Sequence, residues 1–325
     1  MWQIIRSVNT KMLTSGTLQQ MLIHAQLLYL KSTSNGRVKL HNARLKSIQD
    51  DHLYHIALST GSDDLRRLFG DVKVVCFGGQ ATRMEKFARF IAREFDVSDT
   101  VHNFAAGTDR YAVYKAGPVL SVSHGIGIPS LSIVFQEIVK LIYYAGCENV
   151  TFFRIGTCGG IGLEPGTVVI SQKVVNGALE PVYKQYILGR AVERPAKVDS
   201  DLIRQLYACS QNDDKFKTVL GTTLCADDFY EGQGRMDGAF CEHEEEEKFL
   251  WLRELADRGV TNMEMESLGF TALCDRANIP GAVCCVTLLD RCEGDGITTN
   301  LQLLHEWQTY PQILVARYIR NRLGL

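Results

Sequence analysis

Downstream of Asp50 the chain alternates short runs of β-branched and apolar residues with longer stretches in which apolar positions recur at helical spacing. The short runs predict strands over 72–77, 111–115, 119–123, 150–155, 167–171, 218–224 and 282–288. The longer stretches predict helices over 81–95, 130–145, 201–209, 244–258, 266–277 and 301–322, with Pro311 starting a new helix or kinking the last one. Helices covering both faces of a mixed or mostly parallel sheet produce this alternation. The expected class is therefore α/β. Residues 50–325 contain no internal repeat, no Pro- or Ser-rich linker and no low-complexity tract, so they read as one domain.

Composition sharpens this picture. A chain of 325 residues, 46% of them hydrophobic, can bury a sizeable core. Lys plus Arg number 35 against 37 for Asp plus Glu, a net charge of −2, which lacks the positive field of nucleic-acid binders. The balance is uneven. Residues 1–49 carry seven basic residues (Arg6, Lys11, Lys31, Arg37, Lys39, Arg44 and Lys46) and no acid, so the remaining 28 basic residues face all 37 acids within 50–325. The segment 1–49 is a basic leader, read as disordered or as a transit peptide for mitochondrial import; a start placed too early, with Met12 or Met21 as the true one, is the alternative. No run reaches the roughly 18 apolar residues of a membrane span. The ten cysteines form no C-x-x-C pair, which points to reduced thiols and a cytoplasmic setting. Cys76, Cys284 and Cys285 lie in apolar runs, where a free cysteine packs as a small hydrophobe.

Candidate chemistry gathers at three glycine-rich turns that follow strands: FGGQATR (77–83), SHGIGIPS (123–130) and RIGTCGGIG (154–162). Glycine lets the backbone approach an anion, and a following helix start offers free N–H groups. None of the turns matches the P-loop, and the G-x-G-x-x-S of the second lacks the acid expected about 20 positions on in a dinucleotide site. Arg83 closes the first turn and Arg154 precedes the third. An arginine among buried strand residues must be paired, either with an internal carboxylate or with a bound oxyanion. With Thr157 and the backbone as further donors, phosphate or a phosphoryl group is the ligand these residues suit.

Two further segments carry signal. In DFYEGQGRMDGA (228–239), Gln233 and Arg235 alternate with glycines and would project the same way if extended. An amide and a guanidinium together can read a flat ring bearing carbonyl, N–H and carbonyl, and Phe229 offers a stacking face; a polar surface turn is the alternative. In TNMEMES (261–267), Glu264 and Glu266 sit in an apolar context, suited either to the hydroxyls of a sugar or to capping the following helix. The acidic run CEHEEEEKF (241–249) reads as a solvated helix start. No pair of histidines has metal-ligand spacing, and no G-x-S-x-G elbow is present.

These constellations, in this order, resemble the nucleoside phosphorylases of the uridine phosphorylase type, and among them the animal enzymes. The resemblance runs from about Leu53 to Leu325 through LYHIALST, FGDVKVVCFGG, TDRYAVYKAGPVLSVSHGIGIPS, RIGT-x-GGIGLEPGTVVIS, DFYEGQGR-x-DGA and N-x-EMES. It implies a single α/β domain over 50–325, three-layered with a mixed, distorted central sheet. It also implies reversible phosphorolysis of uridine to uracil and ribose 1-phosphate, with phosphate as co-substrate and neither cofactor nor metal. By the same resemblance Gly79, Arg83, Arg154 and Thr157 hold phosphate, with Arg110 from a neighbouring subunit. Gln233 and Arg235 read uracil with Phe229 against the ring. Met265, Glu266 and the neighbour's His55 hold ribose, and Arg291 lies on a mobile gate over the base. A homodimer with shared sites follows, with Arg235, Gln233 and Glu266 in the catalytic roles. Cys158 stands where many relatives have Ser, and the segment after Arg291 diverges. Purine nucleoside phosphorolysis and a nucleoside-binding regulatory protein without turnover are the alternatives.

Overall fold

Continuous β-branched runs such as VVCFG, VLSVS and TFFRI can be buried on both faces, and they form the middle of a sheet. The computed structural model describes residues 36–97 and 101–324, so the leader assigned to 1–49 lies outside the described residues up to position 35. From 38 onward the chain is one unit. Val38 is buried, and Lys39 N–H donates to the Ala277 carbonyl at 2.9 Å, so residues 38–49 run along the body.

In chain order the elements are β1 (His52–Leu53), β2 (Leu58–Ser59), α1 (Leu65–Phe69), β3 (Val74–Gly78), α2 (Ala81–Glu94), β4 (Val113–Ala116), β5 (Val119–Ser123) and α3 (Gly127–Tyr144). They continue with β6 (Thr151–Gly160), β7 (Val168–Val175), β8 (Val182–Ile187), β9 (Arg190–Pro195), α4 (Ser200–Tyr207), β10 (Thr218–Cys225), α5 (Glu245–Asp257) and β11 (Val260–Glu264). The last are α6 (Ser267–Ala277), β12 (Gly281–Asp290), α7 (Leu301–Trp307) and α8 (Tyr310–Leu323).

Eight strands form one mixed sheet in the order β11-β10-β7-β12-β6-β3-β5-β4, and β11 also pairs with β6. That extra antiparallel pairing, Asn262 opposite Gly160 and Met263 opposite Gly159, closes β6, β12, β7, β10 and β11 into a ring. Register shifts in β10 and β12 provide the bends that closure needs. The distortion of the sheet is thus a closure, and it brings the ends of β6 and β11 together.

All seven sequence-predicted strands exist, several of them longer than the patterning indicates. β6 and β12 both extend to ten residues because glycines in β6 and paired backbone carry them beyond the apolar runs. The short elements β1, β2 and α1 escape the patterning, and so do two further features. Strand β11 lies within a stretch that reads as the approach to a helix, and the β8–β9 hairpin is mostly exposed and polar. Helix 301–322 is broken, with α8 restarting at Tyr310 and Pro311 in its first turn, where a missing N–H costs nothing. The acidic run starts α5, with Glu244 and Glu247 forming a reciprocal capping box.

The core on one face is aromatic. Phe135 of α3 lies 5.6 Å from Phe77, 5.4 Å from Phe152 and 5.9 Å from Phe270, ring centre to ring centre, and all four rings are essentially inaccessible. This cluster ties α3 and α6 to β3 and β6. Phe135→Ala should lower the unfolding free energy by about 3–5 kcal/mol, read from urea denaturation, whereas Phe135→Leu should cost less than half as much.

Candidate active site

At the open end of the ring, the ends of β3, β6, β11 and β12, together with the starts of α2 and α3, enclose a cavity of about 710 Å³. Gly79, Arg83, Arg154, Thr157, Phe229, Gln233, Arg235, Met265, Glu266 and Arg291 all line it, as do Cys158 and His124. Sequence reasoning named ten of these as site residues; His124 it did not.

Arg154 projects from the middle of β6 and is 3% exposed, so its charge must be met inside the protein. Of the two partners left open by the sequence, the internal carboxylate is present twice. Nη1 contacts Glu264 at 2.9 Å, and Nη2 pairs with Glu266. The Cys285 thiol accepts a third contact from Nη1 at 2.9 Å. Gly156 makes this possible: a Cβ there would stand 2.7 Å from Arg154 Nη1. Burial opposes the Arg154 charge, but Glu264 and Glu266 outweigh it and hold the group above its ordinary value. Its Nε–H has no partner among the described residues.

The two glutamates divide their work. Glu264, the last residue of β11, accepts from the backbone N–H of Glu266 and Ser267 and from the Ser267 hydroxyl, so it is the cap of α6 as well as a partner of Arg154. Burial pushes its carboxyl up. Glu266 accepts from Gly127 N–H at 2.5 Å, which joins the start of α3 to that of α6. Although burial raises Glu266, Arg154 and His124 bring it below its usual value.

Arg83, in the first turn of α2, is placed differently. It makes no ion pair, and its buried Nε–H has no partner among the described residues. Burial, and next the neighbouring Arg154 charge, depress its pKa against the opposing pull of Cys285 and Glu266. At this end of the cavity the Arg83 guanidinium and the Arg154 Nε–H therefore have no acceptor among the described residues. Burial keeps the nearby Cys158 and Cys285 thiols protonated, the latter pushed up to about 11.

The opposite end is built by the loop after β10 and the segment after β12. Gln233 and Arg235 both reach the cavity, but not from an extended strand: Glu231–Gln233 is a 3₁₀ turn closed by Gly234 in the left-handed region at φ 59°. Arg235 donates to Asp237 through Nε at 2.8 Å and Nη2 at 2.6 Å, and its guanidinium lies 4.5 Å over the Phe229 ring. Phe229 thus supports the arginine on one face. Arg291, which the resemblance places on a mobile gate, lines the same cavity. It is fully buried, donating to the Gln233 carbonyl at 2.8 Å and to Asp295 at 2.9 Å, because a guanidinium beneath the cavity needs a fixed carboxylate. Asp295 also accepts from buried Lys248 at 2.8 Å and from Met236 N–H at 3.0 Å. Asp237, Asp295 and Lys248 went unassigned in the sequence, for Lys248 reads as part of a solvated acidic helix.

His55 and Arg110 stand apart from the cavity. His55 Nδ1 lies 2.8 Å from Glu137, with nearly half the side chain exposed, and Arg110 is exposed beside Asp109. Among the described residues no group of three or more potential metal ligands is assembled, and no helix is long and apolar enough to cross a membrane.

The closed mixed sheet and its cavity have recognised relatives. A family model described as the Phosphorylase superfamily matches residues 73–320, and the chain belongs to that superfamily. Within it, the chain is 48% identical to uridine phosphorylase 1 of Mus musculus over 88% of its own length and 93% of that protein. It is 45% identical to uridine phosphorylase 2 of Homo sapiens over 89% and 92%. The crystal structure of uridine phosphorylase from Schistosoma mansoni with uracil superposes with a TM-score of 0.83 at 38% identity, covering 87% of this chain and 99% of that one. A Schistosoma mansoni protein named inactive uridine phosphorylase B is 39% identical over 87% of the chain and 96% of its own length.

Asp295 is held below its usual carboxylate value because Lys248, Met236 N–H and Arg291 together overcome its burial. A depressed carboxyl stabilises the fold above its unfolded value of about 4 and loses that contribution as pH falls through the folded value. Asp295→Asn should therefore unfold at lower urea at pH 7, by about 3–5 kcal/mol for stranding Lys248 and Arg291. It should also show a shallower loss of stability than the parent between about pH 5 and 3.

Proposed function

We propose that this chain is a uridine phosphorylase, converting uridine and phosphate reversibly to uracil and ribose 1-phosphate. The observation that carries the reading is the polarity of one cavity: an unpaired, partly buried guanidinium at one end and an anchored amide–guanidinium pair at the other. Relatives that bear the uridine phosphorylase name at 45–48% identity support it.

In the reaction a phosphate oxygen attacks C1′ of the ribose, and the C1′–N1 bond breaks with its electron pair leaving on uracil. Positive charge builds on the sugar ring and negative charge on the base, as in other glycosyl transfers. Phosphate sits against Arg83, the free Nε–H of Arg154, Thr157 and the backbone at Gly79. A dianion beneath C1′ both stabilises the sugar cation and attacks it. Gln233 and Arg235 donate to the base as its charge grows, an electrostatic role fixed in advance by Asp237 and Phe229. Glu266, with Met265 beside it, orients the ribose through its hydroxyls, so that much of the barrier is met by alignment. Arg291 fixes the backbone of Gln233. Phosphate is a co-substrate, and no cofactor or metal takes part.

His55, half-buried against Glu137, and Arg110, exposed, both lie outside their own cavity, which suits residues lent to a twin subunit, one to ribose and one to phosphate. The working unit is then a homodimer. The catalytic domain spans 50–325 with 1–49 as a leader, and ten unpaired cysteines favour a reducing, cytoplasmic setting.

Three results are expected. Ribose 1-phosphate forms from uridine and phosphate but not from inosine; the reverse preference makes the protein a purine enzyme, and nucleoside-induced thermal stabilisation without product makes it a binding protein. Arg235→Ala lowers kcat about 10²- to 10³-fold while phosphate KM changes little. Arg83→Ala and Arg110→Ala are each nearly inactive alone, but mixing them under subunit exchange restores up to a quarter of activity, since one site of each mixed dimer is intact; no recovery refutes shared sites.

A further inference from the structure

His124 follows β5 in the second glycine turn. Its backbone is pinned on both sides, the N–H donating to the Gly78 carbonyl at 2.9 Å and the carbonyl accepting from the Ser130 hydroxyl at 2.6 Å. The side chain is 1% exposed, yet neither ring nitrogen has a hydrogen-bond partner among the described residues. An imidazole with both nitrogens buried and unpaired forgoes two hydrogen bonds, and a native protein rarely tolerates that without a ligand to complete them. His124 lines the cavity at the end that holds Arg83 and Arg154, and its ring lies within the electrostatic reach of Arg83, Arg154 and Glu266.

We propose that His124 is a substrate-binding residue that joins the two co-substrates, donating one ring N–H to phosphate and accepting at its other nitrogen from a vicinal hydroxyl of the ribose. The inference rests on the phosphorolysis reading and deepens it. A neutral imidazole has one donor and one acceptor, which is what an anion and a hydroxyl placed side by side require. Burial favours that neutral form, and the charges of Arg154 and Arg83 add to it against Glu266 and the nearby Gly125 backbone, so the group titrates down at about 4. Arg83 and Arg154 supply donors only, and Glu266 supplies acceptors only. Among Arg154, Glu264, Glu266 and His124, the buried polar side chains at this end of the cavity, His124 alone can face both ways. Its hydrogen bond to phosphate fixes the tautomer that accepts from the sugar, so each co-substrate strengthens the binding of the other.

The parent enzyme is first assayed with uridine, 2′-deoxyuridine and 3′-deoxyuridine; absence of turnover on all three refutes the activity itself and not this role. His124→Leu is then expected to raise phosphate KM about tenfold and to lower kcat/KM for uridine about 10- to 100-fold, the worth of one or two hydrogen bonds in a buried site. His124→Gln, which keeps a donor and an acceptor, should recover at least half of that loss on a logarithmic scale. It also serves if the leucine variant does not fold. The deciding comparison uses the deoxynucleosides: the loss caused by either variant should shrink severalfold on the one that lacks the partner hydroxyl. Equal losses on all three nucleosides, an unchanged phosphate KM, or parent-like kinetics in His124→Leu would each overturn the proposal.

Discussion

One buried cation organises this molecule. Arg154 sits in the middle of a strand, where an unmatched charge would be prohibitively costly, and it is met by two carboxylates that arrive from β11 and the start of α6. Bringing them there requires β11 to fold back onto β6, which is the pairing that closes the sheet. It also requires Gly156 two residues on, on the same face of the strand, to make room for the guanidinium. The same glutamates then fix two helix starts, Glu264 capping α6 and Glu266 holding Gly127 at the head of α3. Sheet closure, helix placement and the geometry of the cavity are consequences of one electrostatic requirement.

That requirement leaves a remainder. Two carboxylates against two guanidinium groups balance on paper, but both acids lie against Arg154, and Arg83, partly buried, is left without a carboxylate among the described residues. Such a local deficit suits an anion from outside. The pairing of Arg154 therefore leaves Arg83 as the guanidinium of this end that no carboxylate of the described residues meets.

The other end follows the opposite plan: every donor is anchored before a base arrives. Asp237 and Phe229 hold Arg235, while Asp295 holds Arg291, Lys248 and the backbone of Met236. Donors whose positions are set by surrounding charges lose little entropy on meeting substrate and do not reorient as charge develops. A cavity unsatisfied at one end and rigid at the other suits an anion that must be captured and a leaving group that must be stabilised.

Much of this was legible in the amino-acid order. Apolar runs and turn glycines located the seven central strands, and Pro311 marked the restart of the last helix, because local preferences and burial act on neighbours in the chain. The residue types at Arg83, Arg154, Gln233 and Arg235 also announced anion and ring chemistry, since few other roles fit them in those surroundings. What depended on folding were the partners. Nothing in the order of residues pairs Arg154 with Glu264 and Glu266 more than a hundred positions away, converts TNME into a closing strand, buries Lys248 from within an acidic run, or strands both nitrogens of His124. Charge pairing and desolvation depend on distance in space, and only the closed sheet sets those distances.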